Sequence, residues 1–74
     1  MIKLKHWIIT YKMVCSRFKN TLEFIQYGME DGTYKYVVYN HFLDWEREVT
    51  KQEGNEMFRF IKSNHKYVKI KKVM

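Results

Sequence analysis

Two runs of alternating, mostly aromatic and β-branched residues, at 22–27 and 33–39, dominate the hydrophobic pattern of the chain. They flank a short polar segment, 28–32, that ends in Gly32. A glycine that closes a polar segment between two alternating runs is typical of a β-hairpin, because glycine adopts the positive φ of such a turn at little cost. The pattern therefore predicts two antiparallel strands joined by a tight turn.

The simplest turn, of type I over Glu30 and Asp31, places Met29 opposite Thr33 and so fixes which side chains share a face. One face then carries Leu22, Phe24, Gln26, Tyr34, Tyr36 and Val38, and the other carries Glu23, Ile25, Tyr27, Lys35, Val37 and Tyr39. Both faces contain large apolar groups, so a single layer of helix would leave one of them uncovered.

The segment before the hairpin, residues 2–15, is rich in β-formers, and no helix cap precedes it. Its apolar residues switch from even to odd positions near Lys5 and His6, and a β-bulge there would explain the switch. A helix beginning at Trp7 is the weaker alternative. Residues 16–20 are expected to form a polar connection to the hairpin.

After the hairpin, the pattern predicts a helix over 41–53. Asn40 is a favourable N-cap, and Gly54 could end the helix in a left-handed conformation. Apolar residues recur at i, i+3 and i+7, as Phe42, Trp45 and Val49. This spacing gives the amphipathic stripe of a helix that packs on a sheet.

Residues 57–61 allow two interpretations, a short second helix capped by Asn55 or a strand, and their apolar spacing favours the helix. Residues 67–73 alternate as a final strand, and the lysines on one side of it are typical of an edge strand. We therefore predict a single α+β domain over 1–74. It contains an antiparallel sheet of three to four strands packed by one main helix, in the order β-β-β-α-(α)-β.

The composition excludes several classes of protein. The chain has 74 residues, of which 46% are hydrophobic, and this composition is too apolar for a disordered protein. No apolar run approaches the ~20 residues of a membrane span. So small a domain leaves little room for a deep pocket. The single cysteine, Cys15, excludes an internal disulfide and is expected to pack in the core. A lone cysteine fits a reducing compartment. We also expect no export, so the predicted location is cytoplasmic.

The sequence contains little that indicates catalysis. His6, His41, His65 and Cys15 lie far apart and form no metal-binding spacing, and the three glycines form no phosphate-binding loop. Asp44 and Glu48 would lie one helical turn apart, which an acidic solvated helix face explains. We expect no enzyme activity, no cofactor, no metal and no small-molecule substrate.

The charge distribution supports one functional hypothesis. Residues 1–20 contain five lysines and arginines and residues 57–74 contain six, whereas all eight acidic residues lie within 21–56. If the first and last strands are neighbours, they bring together Lys3, Lys5, Lys69, Lys71 and Lys72. Such a surface would suit DNA or RNA, with nearby aromatic rings stacking on bases.

The second hypothesis, which the sequence favours slightly, is a non-enzymatic regulator or inhibitor that docks on a larger host protein. Its proposed interface is the second hairpin face, Ile25, Tyr27, Val37 and Tyr39. Tyrosine is enriched at protein interfaces, and a second copy of the chain could occupy the same face. The overall composition also resembles that of viral accessory proteins from phages and other mobile elements, which commonly inhibit a host factor.

Overall fold

A computed structural model of the protein describes residues 1–13 and 17–74. In chain order its elements are β1 (Ile2–Lys12), β2 (Lys19–Gly28), β3 (Tyr34–Asn40), β4 (Trp45–Val49), α1 (Lys51–Asn64) and β5 (Lys66–Lys72). The strands form one antiparallel sheet in the order β4-β3-β2-β1-β5. The α+β class is confirmed, but the described residues form five strands, so the predicted number of three to four is wrong.

The central hairpin has the predicted register. The backbone N–H of Met29 donates to the carbonyl of Thr33 at 2.9 Å, and Gly28 pairs with Tyr34. Gly32 has a φ of 86°, a conformation that glycine adopts more easily than other residues. Because the turn fixes the register, the two predicted sets of hairpin side chains do lie on opposite faces of the sheet.

β1 is shorter than predicted, since it ends at Lys12. Its register with β2 shifts between Lys3 and Lys5, which confirms a bulge close to the predicted position. The predicted strand extended to Cys15. Met13 is described and lies beyond the end of β1, whereas residues 14 and 15, and with them the expected packing of Cys15, lie outside the described residues. β5 forms one edge of the sheet, as the lysines on one of its faces predicted.

The predicted helix over 41–53 is wrong, because residues 41–44 form a turn and β4 follows directly. Trp45 and Val49 are four positions apart, which places them on one side of a strand as well as of a helix. Asn40 lies at the end of β3 and caps no helix. Its Oδ1 instead accepts a hydrogen bond from the backbone N–H of Leu43 at 3.1 Å, and Asn20 Oδ1 accepts one from Phe42 N–H at 3.0 Å.

The helix begins ten residues later than predicted, at Lys51, and includes the segment 57–61, where helix was the favoured interpretation. Its N-cap is Thr50, whose hydroxyl accepts from Glu53 N–H at 3.1 Å, while the Glu53 carboxylate accepts from Thr50 N–H at 3.0 Å. This capping box has a sequence signature, Thr-x-x-Glu, that could have located the start. Gly54 is therefore inside the helix and does not end it.

α1 packs on only one side of the sheet, which we call the helix face. The core there contains Ile9, Tyr11, Leu22 and Ile61, with Phe24 and Phe58 packed against them. Val38, on the same face, is 1% exposed. We call the other side the open face, because none of the described helix or strand elements packs across it.

Candidate functional site

The open face contains the four residues predicted as a protein interface, and the register places them side by side on β2 and β3. Ile25 pairs with Val37, while Tyr27 and Tyr39 pair with Lys35 and Glu23 on the same face. Their exposure is limited, since Val37 is 5% exposed and the other three are only partly exposed. The predicted patch therefore exists as a cluster, but its neighbours already cover much of its apolar surface.

The predicted basic residues also lie close together in the sheet, because β1 and β5 are neighbouring strands. Side chains of directly paired residues share a face, and by this criterion the five lysines divide between two faces. Lys69 pairs with Thr10 and Lys71 with Ile8 on the open face, where Lys3 also lies. Lys72 pairs with Trp7 on the helix face.

Lys5 lies on the helix face too, because it pairs with Gln26 beyond the bulge. The Nζ atom of Lys72 lies 5.4 Å from the centroid of the Trp7 ring. Lys5 and Lys72 therefore belong to a different surface from Lys69 and Lys71, and the terminal lysines do not form a single patch.

A row of lysines that the sequence did not predict completes the basic part of the open face. Lys12 lies opposite Lys19 on β2 and opposite Lys66 on β5. Directly opposed side chains have their Cβ atoms about 5 Å apart, and like charges in such positions repel each other. We define the basic edge as Lys12, Lys19, Lys66, Lys69 and Lys71, all of which are exposed.

Polar and aromatic groups lie beside the basic edge. The hydroxyl groups of Thr10 and Thr21 are 3.2 Å apart, and both residues belong to the open face. Tyr67 is 70% exposed, and Lys12 Nζ lies 5.8 Å from the centroid of its ring. Within residues 1–13 and 17–74, no ion pair joins these lysines to a carboxylate. The edge can therefore offer its positive charge, hydroxyl groups and one aromatic ring to an anionic partner.

The acidic residues of this face lie mainly at its other edge. Glu46 and Glu48 lie on β4, where they pair with Tyr39 and Val37 of β3. Three strands separate β4 from β5. With about 4.8 Å between neighbouring strands, this separation exceeds the ~10 Å Debye length at 0.1 M salt. The open face is thus basic at β5 and acidic at β4.

Glu23, between the two edges, is held by two histidines that looked isolated in the sequence. Its carboxylate oxygens lie 2.5 Å from His6 Nε2 and 2.6 Å from His41 Nε2. Partial burial raises the pKa of Glu23, but the hydrogen bonds to His41 and His6 and their charges outweigh it, so the pKa lies below its ordinary value. No spacing along the chain indicates these contacts, because they depend on the pairing of β2 with β1 and with β3.

The turn that carries His41 is fixed by Tyr39. The Tyr39 hydroxyl donates to Asp44 Oδ1 at 2.5 Å, and this hydrogen bond raises the pKa of the Tyr39 phenol. The Tyr39 ring also meets His41 edge-on, with centroids 4.8 Å apart. These contacts hold His41 beside Glu23, so the cluster has an evident structural role.

The described part of the chain contains no group of three or more His, Cys, Asp or Glu side chains arranged to hold a metal ion. Among the same residues, no helix combines the length and the apolar character needed to cross a membrane. No protein-family model matches the chain, and neither the curated proteins nor the solved structures include one with significant similarity to it.

Proposed function

We propose that the protein is a non-enzymatic binding protein whose basic edge binds single-stranded nucleic acid. The supporting observation is the register that aligns five exposed lysines on one face of three neighbouring strands. Lysines that oppose each other destabilise the sheet unless counterions or an anionic ligand neutralise them. A phosphate backbone would supply that neutralisation and release its own counterions.

Neighbouring groups support a single strand as the ligand. Tyr67 offers an exposed ring beside Lys12, and stacking of a base on an aromatic side chain contributes about 1–3 kcal/mol. The hydroxyl groups of Thr10 and Thr21 are suited to phosphate contacts. Such contacts carry no base readout, so we expect binding with little sequence preference.

The test compares two double charge reversals of equal size in the same two-strand region. Lys69→Glu with Lys71→Glu changes the open face, whereas Lys5→Glu with Lys72→Glu changes the helix face. Binding to a fluorescein-labelled oligothymidylate is measured by anisotropy at low salt. The first pair should weaken binding by about tenfold or more, because it replaces two phosphate contacts by repulsion.

The control pair should leave the affinity within about twofold, and circular dichroism should show that both variants remain folded. Equal losses in the two variants would mean that binding depends on net charge alone. A wild-type protein that does not bind the oligonucleotide at low salt would exclude the proposal.

A second candidate is docking on a larger protein through Ile25, Tyr27, Val37 and Tyr39. The specific observation in its favour is that α1 leaves this cluster without a covering element among the described ones. Tyr27→Ala should then abolish capture of a partner from a nuclease-treated lysate, while the reversal of Lys69 and Lys71 should not. If capture requires intact nucleic acid, the first function is supported and the second is excluded.

A further inference from the structure

A groove of about 480 Å³ lies between α1 and the helix face, in a domain whose size suggested little room for one. Trp7, Phe24 and Tyr36 of the sheet and Phe58 of the helix contribute to its walls. The Phe58 ring meets those of Phe24 and Trp7 edge-on, with centroids 5.4 and 6.4 Å away. The volume falls within the ~300–1,000 Å³ range of small-molecule sites, which are mostly apolar and contain few polar groups.

The charged residues around this groove all have the same sign. Lys5 lies on β1, and Lys51 and Lys62 lie on α1, and no carboxylate belongs to the residues that line the groove. Lys62 Nζ lies 5.8 Å from the centroid of the Phe58 ring. Within the described residues, none of these lysines forms an ion pair with an acidic side chain. The groove thus combines apolar walls with a positively charged surround.

We propose that this groove binds a small amphipathic anion, an aliphatic carboxylate of the medium-chain fatty-acid type. The hydrocarbon chain would lie against Trp7, Phe24 and Phe58, where burial of apolar surface stabilises the complex. The carboxylate would remain at the lysines, where a charge-assisted hydrogen bond forms. The site lies on the opposite side of the sheet from the basic edge, so it does not rest on the proposed nucleic-acid function.

Gly54 provides a way to fill the groove without removing a core side chain. It lines the groove from the first turn of α1, and a Cβ atom added there would meet only Val49 Cγ2, at an ordinary 3.6 Å. A leucine at this position would therefore extend into the free space. Both alanine and leucine favour a helix more than glycine does, so Gly54→Ala is a matched control for the change in helix propensity.

The assay measures decanoate binding from the fluorescence of Trp7, in a Trp45→Phe background that leaves Trp7 as the only tryptophan of the two in the chain. We expect a saturable change. Gly54→Leu should raise the dissociation constant of decanoate by about tenfold or more, equivalent to the loss of about 1.4 kcal/mol of binding free energy. Gly54→Ala should leave it within about twofold.

The charged part of the proposal is tested separately with decanol, which has the same chain without the carboxylate. Decanoate should bind more tightly than decanol, and Lys5→Gln with Lys62→Gln should remove that difference. Equal binding of the two ligands by the wild-type protein, or unchanged binding by Gly54→Leu, would overturn the proposal. Displacement of decanoate by oligothymidylate would also overturn it, because the groove would then belong to a nucleic-acid site.

Discussion

The number of lysines in the basic edge makes a quantitative prediction for the salt dependence of nucleic-acid binding. Each phosphate contact with a single strand contributes about −0.7 to the slope of log K against log salt concentration. If all five lysines of the edge contact phosphates, the slope should be about −3.5. The affinity for oligothymidylate should then fall by about 130-fold between about 50 and 200 mM salt.

Neutralising two of these lysines tests the count. Lys69→Gln with Lys71→Gln leaves three contacts, so the slope should become about −2.1 and the loss over the same range about 20-fold. The dissociation constant is measured by fluorescence anisotropy at several salt concentrations. Glutamine keeps most of the side-chain volume, and both lysines are exposed, so we expect little effect on the fold.

The matched control is Lys5→Gln with Lys72→Gln, which removes the same charge from the helix face. Its slope should remain at about −3.5. Two results would refute the reasoning: a control slope that changes as much as that of the open-face variant, or a wild-type slope near zero. The first would show a diffuse effect of net charge, and the second would show that phosphates are not bound.

Three further predictions concern the stability of the fold. Ile9→Val should destabilise the protein by about 0.5–1.5 kcal/mol, because Ile9 is 0% exposed. Ile8→Val on the open face should cost less, because Ile8 is only partly buried, and equal losses in urea unfolding would contradict this difference. Gly54→Ala should stabilise the helix by about 0.5–1 kcal/mol, raising the Tm by about 4–8 °C per kcal/mol, and a lower Tm in calorimetry would contradict the free space at that Cβ. The pKa of Glu23 is depressed below its ordinary value of 4.5, so its stabilising effect is present above that pH and is lost as the pH falls through the folded value. The Glu23→Gln variant should therefore lose less stability than the wild type on acidification. A free energy of unfolding that depends on pH as strongly as that of the wild type would contradict this.

Local signals determined the parts of the fold that the sequence predicted correctly. The hairpin register follows from a turn whose Gly32 needs positive φ, and the bulge in β1 follows from the switch in alternation near Lys5. The helix start, which we predicted ten residues too early, also had a local signal, since Thr50 and Glu53 form a capping box three residues apart. These features depend on neighbours in the chain, so a single sequence contains the information needed to predict them.

The segment around Trp45 shows where local information was insufficient. A separation of four residues repeats in both a helix and a strand, so Trp45 and Val49 fit either element. Tertiary contacts determine that this segment is a strand, because β3 offers a free edge and β4 pairs along it from Asn40 to Tyr36. In the turn between β3 and β4, Phe42 N–H donates to Asn20, which is distant in the chain, and Leu43 N–H donates to the nearby Asn40.

The sequence by itself determined that the chain forms a hairpin with two apolar faces and that its ends are basic. Only the tertiary structure decided which lysines share a surface, because that depends on the pairing of β1 with β5 and on the bulges that change the register. The pairing of β2 with β1 and with β3 brought His6 and His41 to Glu23, and the packing of α1 on the sheet left a groove beside Gly54. A shift of one residue between strands moves a side chain to the opposite face, so charge along the chain could not predict charge on the surface.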